Sequence, residues 1–143
     1  MLTVKIVNTS EHPLPQYATQ GAAGMDLRAS IETPILLPPQ ERILIPTGIS
    51  IELPIGYEAQ IRPRSGLAAK KGVVAIFGTV DSDYRGQIHV LLLNTSKEPF
   101  VIENGERIAQ MVIAKHETII WELSQILSPT ERGEGGFGST GIK

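Results

Sequence analysis

A chain of 143 residues is long enough for one domain that buries roughly two-thirds of its surface. Its 13 basic and 15 acidic side chains, with no basic run and few aromatics, exclude an electrostatic footprint for nucleic acid, so an anionic ligand has to be met by a local cluster of charge. The absence of cysteine excludes a disulfide scaffold and thiolate chemistry. With no secretory segment and no apolar run near the ~18 residues of a membrane span, the expectation is a cytoplasmic protein with no membrane partner.

The 10 prolines are spaced too closely to leave room for many helices, and the gaps between them read as strands. In chain order these are "LTVKIVN" (2 to 8), "ERILIPTGISIEL" (41 to 53), "YEAQIR" (57 to 62), "QIHVLLLN" (87 to 94) and "RIAQMVIAKHETIIWEL" (107 to 123). Each alternates or runs apolar with β-branched enrichment and is bounded by turn residues. Between the third and fourth, "SGLAAKKG" (65 to 72) predicts one short helix, with Ser65 capping its start and Gly72 its left-handed stop. The expected fold is all-β, a jelly-roll barrel or sandwich. After Trp121 the chain turns polar and glycine-rich, which divides it into a body, residues 1 to 123, and a flexible C-terminal arm, residues 124 to 143.

Several stretches carry more chemistry than the fold needs. "AGMDLRA" (23 to 29) sets Asp26 on the opposite face of a strand from Met25 and Leu27, where an ordinary solvent-facing residue also fits. "PRSG" (63 to 66) puts Arg64 and Ser65 at a helix start, where free N–H groups and a bidentate guanidinium favour an anion; a simple cap beside a surface arginine is the plainer reading. "GTVDSDYRG" (78 to 86) packs two carboxylates, a tyrosine and an arginine between glycines. It reads as a β-hairpin turn, except that a turn has no need of the large ring of Tyr84. "GERIAQMVI" (105 to 113) holds Gln110 in an apolar run, as an exposed-face residue would. His12, His89 and His116 lack metal-ligand spacing.

The arm contains "RGEGGFGSTG" (132 to 141), in which Gly133, Gly135 and Gly138 have the G-x-G-x-x-G spacing of phosphate-wrapping loops. A dinucleotide fingerprint needs a strand before it and a helix after it, and a kinase loop needs a large downstream domain; only Ile142 and Lys143 follow Gly141. A disordered end is the plain alternative, against which stand a cation, a ring and two hydroxyls at fixed offsets.

In this order and spacing the five segments resemble the five motifs of the trimeric deoxyuridine triphosphate nucleotidohydrolases, the dUTPases, over residues 13 to 141. The resemblance implies a jelly-roll homotrimer with active sites shared between subunits, splitting dUTP into dUMP and pyrophosphate with Mg²⁺. It implies that Asp81 orients the attacking water and meets the sugar 3′-hydroxyl, and that Tyr84 lies under the deoxyribose. Arg64, Ser65, Gly66 and Gln110 match phosphate contacts, and Asp26 matches a residue that reaches the metal through water. In the arm, Arg132, Ser139 and Thr140 match ligands of the terminal phosphate, Phe137 the ring that stacks on uracil, and Gly138 the loop backbone. Thr79, Val80 and His89 align with positions that touch the nucleoside largely through main chain. The ten residues between Trp121 and Arg132 span roughly 35 Å when extended, enough for the arm to close over a neighbour's nucleotide.

One departure lies at "VVAIF" (73 to 77), where bacterial dUTPases commonly have a longer hairpin with a uracil-reading asparagine. Base selection here is therefore assigned to the main chain of residues 73 to 79, with Ile76 and Phe77 narrowing the pocket. Two other readings remain: a regulatory protein that binds nucleotide on this fold without turning it over, and a dCTP deaminase relative. Chain length and the arm oppose the deaminase; the presence of Asp81, Arg64 and Arg132 opposes the regulator.

Overall fold

The computed structural model describes residues 1–142; Lys143, the last position of the expected arm, lies outside the described residues. The described residues form eleven strands and one helix: β1 (Lys5–Asn8), β2 (Gly24–Arg28), β3 (Ile35–Leu37), β4 (Arg42–Pro46), β5 (Ile49–Glu52), β6 (Tyr57–Arg62), α1 (Ser65–Lys71), β7 (Val73–Ala75), β8 (Gly78–Val80), β9 (His89–Asn94), β10 (Phe100–Ile102) and β11 (Arg107–Lys115). All ladders are antiparallel, in the orders β2-β11-β6-β8, β4-β9-β7, β1-β5 and β10-β3. This is the expected all-β jelly roll with a single short helix.

Alternation builds the core. In β9 the side chains of Val90 and Leu92 point inward, and in β5 and β6 Ile49, Ile51, Ala59 and Ile61 do the same. β11 lies against both β7 and β9, so the four-stranded and three-stranded sheets close on one apolar interior. Two polar residues are buried in it with their bonds made. Asn94 Nδ2 donates to the carbonyls of Leu37 (3.1 Å) and Glu98 (2.7 Å), while its Oδ1 accepts from Ser96; Thr47 Oγ1 donates to Ile88 O at 2.6 Å. Among the described residues no buried side-chain nitrogen or oxygen lacks a partner.

The structure corrects four local readings. The 41–53 run is two strands broken at Thr47–Gly48, because its halves serve different sheets, β4 pairing with β9 and β5 with β1. The run beginning at Arg107 ends as a strand at Lys115, since its partner β6 begins at Tyr57; residues 116–123 lie outside any strand, with Ile119, Ile120, Trp121 and Leu123 exposed. Arg64, not Ser65, is the N-cap. It is extended (φ −90°, ψ 126°) and its carbonyl takes the Ala68 N–H at 3.0 Å, so Ser65 is already the first helical residue and no side chain caps the end. The C-terminal stop is Gly72, whose φ of 66° is left-handed as expected. Finally, neither 73–77 nor 78–86 is a hairpin: β7 pairs with β9 while β8 pairs with β6, so the chain crosses from one sheet to the other at Ile76–Phe77 and back again through 81–88.

Candidate active site

The expected site residues fall into three groups. The first surrounds a cleft of about 310 Å³ beside β8, lined by Thr79, Val80, Asp81, Tyr84 and His89 together with Leu44, Ile61, Gly78, Gln87 and Ile88. β8 is the edge strand of its sheet, pairing with β6 on one side only, so the main-chain N–H and C=O groups on its other side are free to meet a ligand. Asp81 and Tyr84 follow directly, in a turn closed by the Tyr84 N–H donating to Asp81 O at 3.2 Å. Tyr84 Oη donates to Gln87 O at 2.9 Å, and His89 Nδ1 lies 3.0 Å from the same carbonyl. Gln87 is itself pinned, its Oε1 accepting the Gly48 N–H at 2.7 Å.

Phe77 does not narrow this cleft. The guanidinium carbon of Arg62 sits 5.7 Å from its ring centroid, a cation–π contact, and neither Ile76 nor Phe77 lines the pocket. The main chain of 73–76 is also committed, in the β7–β9 ladder and through Ile76 N–H to Leu91 O at 2.8 Å. Of the 73–79 backbone assigned to base reading, Gly78 and Thr79 on β8 lie at the cleft.

The second group gathers where β2, β11 and the start of α1 meet. A bulge in β11 between Arg107 and Ala109 shifts its register, leaving Ile108 and Ala109 both buried and setting Gln110 opposite Asp26 on one side and Arg62 on the other. Arg64 Nε donates to Asp26 Oδ1 at 3.0 Å, and Arg64 Nη1 to Arg107 O at 3.0 Å; Arg107 Nη1 lies 3.6 Å from Asp26 Oδ2. Gln110 Nε2 donates to Pro63 O at 2.9 Å, fixing the segment that leads into Arg64. Ser65 and Gly66 are exposed beside them. Asp26 and Arg64 keep 34% and 31% of their side-chain surface, enough for a phosphate to compete for the arginine.

Asp26 is the single carboxylate in this group, and no cluster of three or more metal-ligating side chains occurs among the described residues. That donor set fits Mg²⁺, which keeps most of its waters and binds through one or two carboxylates plus substrate phosphates rather than in an all-protein cage.

The third group is the arm. Arg132 Nε donates to Gly135 O at 2.7 Å, and the other recorded bonds of 130–141 are tight local turns. Phe137, Gly138, Ser139 and Thr140 are exposed. Within one chain the three groups are not brought together: no residue of the second or third lines the β8 cleft. Sequence reasoning missed Arg107 and Gln87. Both stand inside or beside a motif, yet their roles depend on a bulge and on a turn of another strand, which periodicity does not show.

The dUTPase family model matches residues 10–141 of the chain. A deoxyuridine 5′-triphosphate nucleotidohydrolase of Rickettsia felis is 57% identical over 97% of this chain and 95% of its own, and one of Finegoldia magna is 53% identical over 98% and 99%. Among solved structures, a Staphylococcus bacteriophage 80alpha dUTPase mutant with dUpNHpp superposes with a TM-score of 0.87 at 27% identity, over 99% of this chain and 100% of its own. With a jelly roll, an edge-strand cleft and all five motifs in place, the chain belongs to the dUTPase family.

Proposed function

We propose that this protein hydrolyses dUTP to dUMP and pyrophosphate, clearing dUTP from the nucleotide pool and supplying dUMP for thymidylate synthesis. The observation that carries the reading is the β8 cleft, where a free strand edge, the Asp81 carboxylate and the Tyr84 ring meet in a chain of this family. A carboxylate is a weak base but a good director of water, so Asp81 holds the attacking water and accepts its proton as the α–β anhydride opens. Positioning and charge neutralisation supply most of the acceleration in phosphoryl transfer. Arg64, Ser65, Gly66 and Gln110 bind the phosphate chain, and Asp26 would hold Mg²⁺ through water, the ion supplying positive charge against the phosphates. Arg132, Ser139 and Thr140 bind the terminal phosphate, with Phe137 over the uracil and Gly138 allowing the loop to wrap. Thr79, Val80 and His89 bound the nucleoside.

The separation of these groups within one chain supports a homotrimer in which neighbouring subunits complete each site. Light scattering on the eluted protein is expected to give about three times the 15.5 kDa chain mass. An active monomer that persists on dilution would remove the shared site. Its working place is the cytoplasm, where nucleotide pools are; no helix among the described residues is long and apolar enough to cross a membrane.

Base selection rests on the β8 edge. The N–H and C=O groups there match the uracil edge, whereas cytosine reverses the exocyclic group and lacks the N3 proton, leaving mismatches of about 1–3 kcal/mol each. Two mismatches give tens-fold to several-thousand-fold discrimination. Steady-state kcat/KM for dUTP, dCTP, dTTP and UTP tests the whole reading, with dUTP expected to lead. Equal values for dUTP and dCTP would refute main-chain readout, and no turnover of any of the four would leave a nucleotide-binding protein.

A further inference from the structure

Tyr84 owes its pose to Gly86 and Gln87, two and three residues further on. Its ring lies over Gly86 so closely that a methyl group on Gly86 would overlap the phenolic oxygen and Cζ and stand 3.0 Å from Cε1. Its hydroxyl is tied to Gln87 O at 2.9 Å, and Gln87 is anchored through its side chain to the Gly48 N–H. We infer that Gly86, together with the Gln87 carbonyl, is a specificity-determining positioning element: it sets the depth of the Tyr84 ring and thereby the exclusion of a 2′-hydroxyl from the cleft. This rests on the reading of Tyr84 as the ring beneath the deoxyribose.

The physical argument is steric. Rejection of an added hydroxyl by an apolar wall amounts to only about 100-fold, and it depends on the wall being in van der Waals contact with the sugar. The ring has to stay at one depth: too high and it meets deoxyribose itself, too low and ribose enters. Gly86 supplies a floor with no side chain, and the hydrogen bond to Gln87 O holds the ring against it. Gly86 is exposed, and unlike Gly48, Gly72 and Gly105 it does not have a left-handed φ. Its main chain therefore accepts alanine, and what the new methyl meets is the Tyr84 ring.

The test compares kcat/KM for UTP and dUTP in Gly86→Ala, Gln87→Ala and Tyr84→Ala, with thermal melting as the structural readout. In Gly86→Ala the methyl overlaps Tyr84 Oη and Cζ, so the ring loses its bond to Gln87 O and swings out from beneath the sugar rather than resting higher; the variant is expected to melt within a few degrees of the parent protein and to raise the UTP/dUTP ratio at least tenfold, approaching the ratio of Tyr84→Ala. Gln87→Ala, which loosens the anchor without adding an atom, is expected to raise the ratio a few fold. An unchanged ratio in folded Gly86→Ala, with a raised ratio in Tyr84→Ala, would overturn the role of Gly86 and leave that of Tyr84 standing. An unchanged ratio in all three would overturn the sugar-facing role of Tyr84 and this inference with it. Should Gly86→Ala not fold, Gln87→Ala decides alone, and an unchanged ratio there overturns the proposal.

Discussion

Removal of residues 129–143 is expected to lower kcat/KM for dUTP about 10³-fold or more while leaving the fold and the assembly intact. The structural half of this expectation follows from burial: the last buried residue among those described is Met111, and the bonds of 130–141 close only local turns within the arm. Nothing in the core is lost with the arm, so melting temperature and light-scattering mass are expected to stay where they are. The catalytic half follows from what leaves with it. Arg132 and the two hydroxyls proposed for the terminal phosphate, the ring proposed to stack on uracil, and a loop of backbone N–H groups go together, and one arginine placed on transferring phosphates is worth about 10³–10⁵ in other enzymes. Circular dichroism and steady-state kinetics on the protein ending at Ser128 measure both halves. Hydrolysis at the full rate would remove the arm from the reaction.

Asp81→Asn is expected to abolish turnover, by about 10²–10⁴-fold, with nucleotide affinity changed only a few fold. Asp81 is exposed at the cleft, and the bond it accepts from the Tyr84 N–H is made by its main-chain carbonyl, so asparagine preserves the turn and the shape of the site. What it removes is the negative charge proposed to align water and take its proton. Single-turnover hydrolysis separates this from product release, and equilibrium binding of a non-hydrolysable dUTP analogue reports the ground state. An undiminished single-turnover rate would assign the water to another group.

Much of the body was legible because its signals are local. Alternation in 87–94 marked β9, Gly72 marked the end of α1, and the closely spaced prolines spoke against other helices. Strands β3 and β10 were not, since three residues carry too little periodicity to stand out; they exist because they pair with each other across the chain, Ile35 opposite Ile102 and Leu37 opposite Phe100. The break at Thr47–Gly48 and the end of β11 at Lys115 were hidden for the same reason. Apolar alternation continues through both points, and only the availability of a partner strand decides where the ladder stops.

For the site, the sequence by itself determined the chemistry present and its family, because five motifs in fixed order are covalent facts that folding does not alter. Tertiary structure decided the placement. The β11 bulge turned Gln110 toward Asp26 and let Arg107 share that carboxylate with Arg64, an arrangement formed by strands some 80 residues apart. The crossing at Ile76–Phe77 carried Phe77 to Arg62 and left the edge of β8 open, where alternation alone allows either outcome. Side-chain period and turn residues act over a few neighbours. Register, edge and bulge depend on which distant strand a segment meets, and that is settled only when the whole chain packs.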